Sequence, residues 1–320
     1  MEVNVKSDTN SESSTDIFRG KISKNIVETV AKIIFVIFAF VAVAAVVSIT
    51  VYMFIKGLPA FGEVGVAEIL FGTVWEPTAA EPHYGIFYVI LTSIVGTAMA
   101  ILIGVPVGIL TAVFLAEVAP EKLVKVVKPA VELLAGIPSI IYGLLGLMIL
   151  NPLMYKLEKL IFAGSKTHQF TGGSNLLSAE LVLAVMILPT VINISESSIR
   201  AVPKHYKAAS LAMGATHIQT IFKVILPAAK SGIMTAIVLG IGRAIGEAMA
   251  ITLVAGSAVN LPLPFNSVRF LTTAIVSEMS YSADTHRMVL FTIGLVLFVF
   301  IMIINLLVNV VLKKGAKEDE

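Results

Sequence analysis

Cysteine is absent from the 320-residue chain, tryptophan occurs once, and acidic and basic residues together make up only 14% of it. The missing cysteines exclude a disulfide framework, a thiol nucleophile and a cysteine metal site, and leave the redox compartment undetermined. Five histidines are present, but none forms a pair at metal-ligand spacing such as H-E-x-x-H, and no G-x-S-x-G nucleophile motif occurs. The charge deficit is the sharper fact, because an ordinary soluble domain carries about a quarter charged residues. A formal net charge of +2 offers no field that would draw nucleic acid.

Apolar surface takes the place of charge: 57% of residues are hydrophobic and the mean hydropathy is +0.93. Runs long enough for a roughly 30 Å hydrocarbon core, which needs about 20 helical residues, occur near 30–55, 86–116, 130–152, 178–199, 231–256 and 287–312. They predict an all-α integral membrane protein with six transmembrane helices. Residues 1–16 are rich in Ser, Asp, Glu and Asn and read as a disordered cytoplasmic tail, part of a leader over 1–29. A cleaved signal peptide is not expected, since no short apolar segment with a small-residue cleavage site opens the chain.

Lys and Arg give the orientation. Fifteen fall on one side, among them Arg19, Lys21, Lys122, Lys125, Lys128, Arg200, Lys204, Lys207 and Lys313, against five on the other, Lys56, Lys156, Lys159, Lys166 and Arg269. The first side, with both termini, is expected to be cytoplasmic. The weakest boundary lies around 152–178, where the amphipathic piece Leu153 to Phe162 reads either as an outer interfacial segment or as loop.

Several spans contain helix breakers: Gly104, Pro106 and Gly108, then Gly136, Pro138, Gly143 and Gly146. Small residues let membrane helices approach closely. A second reading is that the Gly136-Ile137-Pro138-Ser139 break lines a translocation pathway, because irregular backbone at membrane depth is tolerated beside a polar cavity. Gly240-Ile241-Gly242-Arg243-Ala244-Ile245-Gly246-Glu247 is superficially a phosphate loop, but its glycine spacing is one residue too long for the dinucleotide fingerprint and no βαβ unit surrounds it. Arg243 and Glu247 are charged groups inside an apolar helix, a costly placement. Four residues apart, they are expected to share a face. They read either as an internal ion pair or as an anion-path Arg held and tuned by Glu247. Glu196 and Arg200 have the same spacing and read as an interfacial ion pair or a gate element; Glu132 reads as a solvated helix-start residue and Trp75 as an outer-interface marker.

The stretch 202–227, VPKHYKAASLAMGATHIQTIFKVILP, is too polar to span and too patterned for a plain loop. It predicts a helix opened by Pro203, a turn at Gly214 and a second helix. This run resembles the EAA loop of binding-protein-dependent ABC importer permeases, which docks on the ATPase subunit. Ala209, Ser210 and Gly214 match that pattern, while Ala208 stands where the family has Glu. GRAIGEAMAITLVAG (242–256), VELLAGIPSIIYGLLG (131–146), FGTVWEP (71–77) and TTAIVSEMSYSA (272–283) are similar to the PstC-type permeases of phosphate-specific importers. The resemblance implies a type I (MetI-like) permease fold, with a first helix over 30–56, an external loop over 57–85, a core over 86–312 and a cytoplasmic tail over 313–320. It further implies inorganic phosphate as cargo and Ala208, Ala209, Ser210 and Gly214 at the ATPase contact, and the buried charges of Arg243 and Glu247 are expected on the substrate path. The implied partners are a PstA-like permease, a PstB-like ATPase dimer and a PstS-like phosphate-binding protein, in the lipid of the cytoplasmic (inner) membrane. No cofactor or metal is expected on this chain, and ATP and Mg belong to the ATPase. The nearest approach to a Walker sequence, Gly164-Ser165-Lys166-Thr167, lacks Gly directly before Lys. The alternatives are a permease for another oxyanion such as molybdate or sulfate, the PstA-type partner, a transporter or channel working without ATP, and a membrane enzyme. The last lacks a catalytic constellation, and the ATP-independent reading leaves 202–227 unexplained.

Overall fold

The computed structural model describes the backbone of residues 9–317, and side chains over residues 28–307 and 310. In chain order the elements are α1 (Thr9–Ala60), α2 (Val66–Phe71), β1 (Trp75–Glu76), β2 (His83–Tyr84), α3 (Phe87–Val113), α4 (Glu121–Ala135), α5 (Ser139–Leu145), α6 (Asn151–Ile161), α7 (Leu176–Arg200), α8 (Lys204–Ala212), α9 (His217–Thr220), α10 (Leu226–Ala228), α11 (Lys230–Gly246), α12 (Met249–Val254), α13 (Leu271–Glu278) and α14 (Asp284–Lys317). Helix dominates because a chain in hydrocarbon must satisfy its backbone groups within each segment. The strands form one antiparallel rung pair, Trp75 opposite Tyr84 and Glu76 opposite His83. Single π-helical turns continue four helices, at Phe61–Gly65, Phe114–Val118, Gly146–Leu150 and Ile221–Ile225.

Among the described residues five helical runs are long and apolar enough to cross a membrane: Glu28–Phe71, Phe87–Val118, Ser139–Ile161, Leu176–Arg200 and Asp284–Leu307. The pair His217–Ala228 and Lys230–Gly246, bent by 70°, supplies the sixth. Residues up to Ile55 form one compact unit and those from Lys56 onward another. In the first, Phe35 and Phe40 are each 73% exposed, which suits a helix bathed in lipid rather than water. The polar leader differs from its compositional reading: residues 1–8 lie outside the described residues, and the backbone is helical from Thr9 onward.

Glycines set the helix spacing in the second unit. A Cβ on Gly104 would come within 2.7 Å of Ile187, and one on Gly108 within 2.7 Å of Val191, so α3 and α7 lie close and parallel. On another seam Gly143 abuts the Ala250 backbone, and Gly146 abuts Val182 and Val254. Packing therefore accounts for these four glycines. Gly136 differs, since a Cβ there meets only the Leu133 carbonyl at 3.5 Å, and it ends α4 just before the Pro138 that precedes α5. One buried cluster joins Tyr142, Leu176, Met186, Ala250 and Phe270 in mid-bundle; another joins Ile69, Ile86, Leu271, Leu290 and Ile293 at one end; a third joins Ala112, Ile199, Ile221 and Ile233 at the other.

Two spans depart from the hydropathy reading. The third begins at Ser139 rather than near 130, because Glu121–Ala135 is a separate amphipathic helix whose Val131 packs with Leu115 and Ile192. That helical run continues to Ile161, so the piece from Leu153 onward is helix rather than loop. Asn151 holds its start by donating to the Ser174 hydroxyl at 2.9 Å. Near its end the buried Glu158 accepts from the Thr171 N–H at 2.9 Å and meets His168 Nε2 at 2.8 Å. The fifth span, expected as one helix over 231–256, stops at Gly246 and resumes at Met249.

Candidate functional site

At the end of the bundle where α3 and α7 finish, residues 202–227 form the helix–turn–helix expected from their pattern. Pro203 stands at the N-cap of α8 and Gly214 takes φ +87°, a conformation that a residue without Cβ adopts freely. Thr216 and Gln219 then form a capping box: the Gln219 N–H donates to Thr216 Oγ1 at 3.3 Å, and the Thr216 N–H to Gln219 Oε1 at 2.9 Å. The Ser210 and Thr220 hydroxyls lie 2.9 Å apart and close the hairpin. Its inner face buries Ile221 and Ile225. The outer face leaves Ala208, Ala209, Ala212 and Gly214 exposed, with Met213 at 88%, Ile218 at 70% and Phe222 at 54%. An apolar face of small residues with protruding Met, Ile and Phe suits the groove of another protein.

Glu196 anchors that end. It is 2% exposed and pairs with both Arg200, one turn on, and Lys128 of α4, the latter at 2.9 Å. Lys128 lies 68 residues from Glu196, a separation that no local sequence pattern bridges. Two cations on one buried carboxylate make this an interhelical tie.

The structure separates Arg243 from Glu247. α11 ends at Gly246, and Glu247 is extended at φ −74°, ψ 129°. Its Oε1 accepts the Ala250 N–H at 2.8 Å, and its carbonyl accepts from the Thr272 hydroxyl at 2.7 Å. Among the described residues no ion pair joins it to Arg243, whose Nη1 donates instead to Thr190 Oγ1 of α7 at 3.3 Å. The expected shared face is thus corrected: an acceptor at the start of α12 satisfies one of the free N–H groups there. Gly240 faces Val191 of α7, whereas Gly242 and Gly246 meet no described atom within 4 Å of a Cβ. Arg243, half-buried, therefore lies on a helix packed on one side and open on the other, next to a backbone break.

At the opposite end Trp75 does more than mark an interface. Its indole N–H donates to both oxygens of Glu278 at 3.2 and 3.1 Å. The same carboxylate pairs with Arg269 and meets His286 Nε2 at 2.8 Å. Beside it opens a cavity of about 340 Å³ lined by Trp75, Glu76, Arg269, Glu278 and Tyr281. Burial, with help from Glu63, pushes the neighbouring Tyr84 hydroxyl above its ordinary range. Glu278 lies within the tail motif singled out above, but its partners, scattered from 75 to 286, carried no local signal.

A helical membrane chain with a broken inner span and an exposed helix–turn–helix at one end has the architecture of an importer's transmembrane subunit. The inward-facing MetNI methionine ABC transporter shares its fold at a TM-score of 0.51 and 22% identity, over 72% of this chain and 94% of that one. Residues 104–315 match the model of the binding-protein-dependent transport system inner membrane component, and the chain belongs to that family. It is 41% identical over 278 residues to the probable ABC transporter permease protein YqgH of Bacillus subtilis, covering 84% of this chain and 87% of that protein. It is 32% identical over 295 residues to the phosphate transport system permease protein PstC of Pasteurella multocida, covering 89% and 90%.

Proposed function

We propose that this chain is the permease subunit of an ATP-driven importer that carries inorganic phosphate across the cytoplasmic membrane. The observation that carries the reading is likeness over nearly the whole chain to a permease named for phosphate transport. In this reading residues 86–312 are the permease core, paired with a PstA-like permease, a PstB-like ATPase dimer that binds ATP and Mg, and a PstS-like binding protein. Both termini and the α8–α9 hairpin face the cytoplasm, in line with the fifteen-to-five distribution of Lys and Arg. The hairpin docks on the ATPase through Ala208, Ala209, Ser210 and Gly214. With Ala in place of an acidic residue at 208, shape and apolar contact bear the docking. Arg243 serves the anion path: its guanidinium is always charged and presents a planar fork suited to two oxygens of an oxyanion. Glu247 shapes that path by capping the helix after the break.

Uptake of labelled phosphate by a strain deleted for its own system, with and without this chain and its partners, is the test. Uptake that depends on the chain and resists excess sulfate and molybdate supports the reading. Absent uptake removes phosphate as the cargo, and uptake competed by either ion makes the chain a permease of broader oxyanion specificity.

A further inference from the structure

The second span does not end as a plain α-helix. Its last turn, Phe114–Val118, is π-helical, and the Ala119 N–H reaches back to the Phe114 carbonyl at 2.7 Å. The next residue, Pro120, has no N–H to give. Arg200 Nη2 of α7 donates to the Leu115 carbonyl at 2.8 Å. Arg200 is itself held by the buried Glu196. Two residues after Leu115, the Glu117 carboxylate pairs with Lys207 Nζ of α8 across 90 positions of sequence. Among the described residues, this is the one side-chain hydrogen bond that α8 sends beyond its own hairpin. A single π-turn is thus gripped twice, through its carbonyl by the end of the fourth span and through its carboxylate by the surface helix. Such turns interrupt helices frequently at functional sites.

We propose that Glu117 and Lys207 are positioning residues for transport: their pair passes displacement of α8 into the end of the second span, so that α8, α3 and α7 shift together. This rests on the docking role given to α8 above. Glu117 is 11% and Lys207 37% exposed. The pair fixes the distance between a docking helix and a spanning one. Motion of packed elements needs such physical links to reach a distant site.

The complete importer, reconstituted in vesicles with external binding protein, allows three readouts on each variant: ATPase subunit retained on purification, ATP hydrolysed, and labelled phosphate accumulated. Glu117→Gln and Lys207→Gln are each expected to retain the ATPase and hydrolyse ATP, while phosphate moved per ATP falls on the order of tenfold, an ordinary size for coupling between sites. Lys207→Arg keeps the ratio near wild type. The double neutral variant is no worse than either single one, because both remove the same link. An unchanged ratio in Glu117→Gln overturns the proposal. So do losses that multiply in the double variant, or loss of the ATPase from either single one, which would make the pair part of assembly. Failure of the underlying importer reading shows separately, as absence of ATP-dependent phosphate uptake by the wild-type complex.

Discussion

The carboxylate of Glu247 accepts the Ala250 N–H at 2.8 Å, so the acid four residues after Arg243 is engaged by the helix that follows it. Arg243 turns to the Thr190 hydroxyl of α7 instead. The two charges, neighbours in sequence, thus have separate employments, and their separation is measurable.

Replacing both residues should give additive effects on stability. Glu247→Ala removes a cap and costs about 1 kcal/mol, while Glu247→Gln keeps an acceptor and assembles nearly normally. In thermal unfolding of the detergent-purified complex, the double variant Arg243→Ala with Glu247→Ala should equal the sum of the single ones within about 0.5 kcal/mol. A coupling well beyond that would restore the ion pair. Phosphate uptake should be lost in Arg243→Ala, partly kept in Arg243→Lys, and not recovered in the double variant.

Gly214 distinguishes backbone conformation from surface shape. At φ +87° a side chain is strained, by roughly 1–2 kcal/mol for an ordinary residue, although no described atom lies within 4 Å of where a Cβ would stand. Asn tolerates this conformation better than a bulky apolar residue does. Gly214→Asn should therefore retain more ATPase in a pull-down than Gly214→Leu, with both inserted in the membrane at wild-type levels. Equal and full binding by both would remove the hairpin from the contact.

Glu278 is 5% exposed and serves Arg269, His286 and Trp75 together. Removing the carboxylate strands a nearly buried guanidinium, a loss of about 3–5 kcal/mol. Glu278→Ala should lower the level of folded protein in the membrane, and Glu278→Gln should lower it less. Trp75 is the chain's sole tryptophan, so its fluorescence in the purified subunit reports the cluster without interference. The emission maximum should shift in Glu278→Ala and stay in place in Arg243→Ala.

Reporter fusions test the orientation. Residues 120 and 215 should read as cytoplasmic, and 70, 165 and 270 as external. A reversed pattern would place the docking hairpin away from any source of ATP and refute the assignment.

Hydropathy was enough to count the spans, and the Gly136–Pro138 break and the turn at Gly214 were visible because glycine and proline announce themselves. The break after Gly246 was not. Glu247, Ala248, Met249 and Ala250 have no residue that forbids a helix, and the Glu247 carbonyl freed at the interruption takes a donor from Thr272 of α13, which no local pattern reveals. Glu158 and Lys159 made the end of the third span look amphipathic enough to lie flat, whereas Glu158 is fully buried by Thr171 and His168 from the following loop. Glu117 and Lys207 stood in plain view as surface charges. Only the fold sets them side by side.

The open ground around Gly242 and Gly246 bears on how tolerance to mutation in this protein would be scored. A scan that followed only expression and heat resistance of the isolated subunit would find both positions permissive, since no described neighbour within the chain objects to a methyl group. A scan that followed growth on scarce substrate would register whatever the assembled machine brings against that face. The two scans should part company on these glycines and agree at Gly104 and Gly143, where the neighbours are Ile187 and Ala250 of the same polypeptide. Compensating replacements for the first pair would then have to be sought in a different gene.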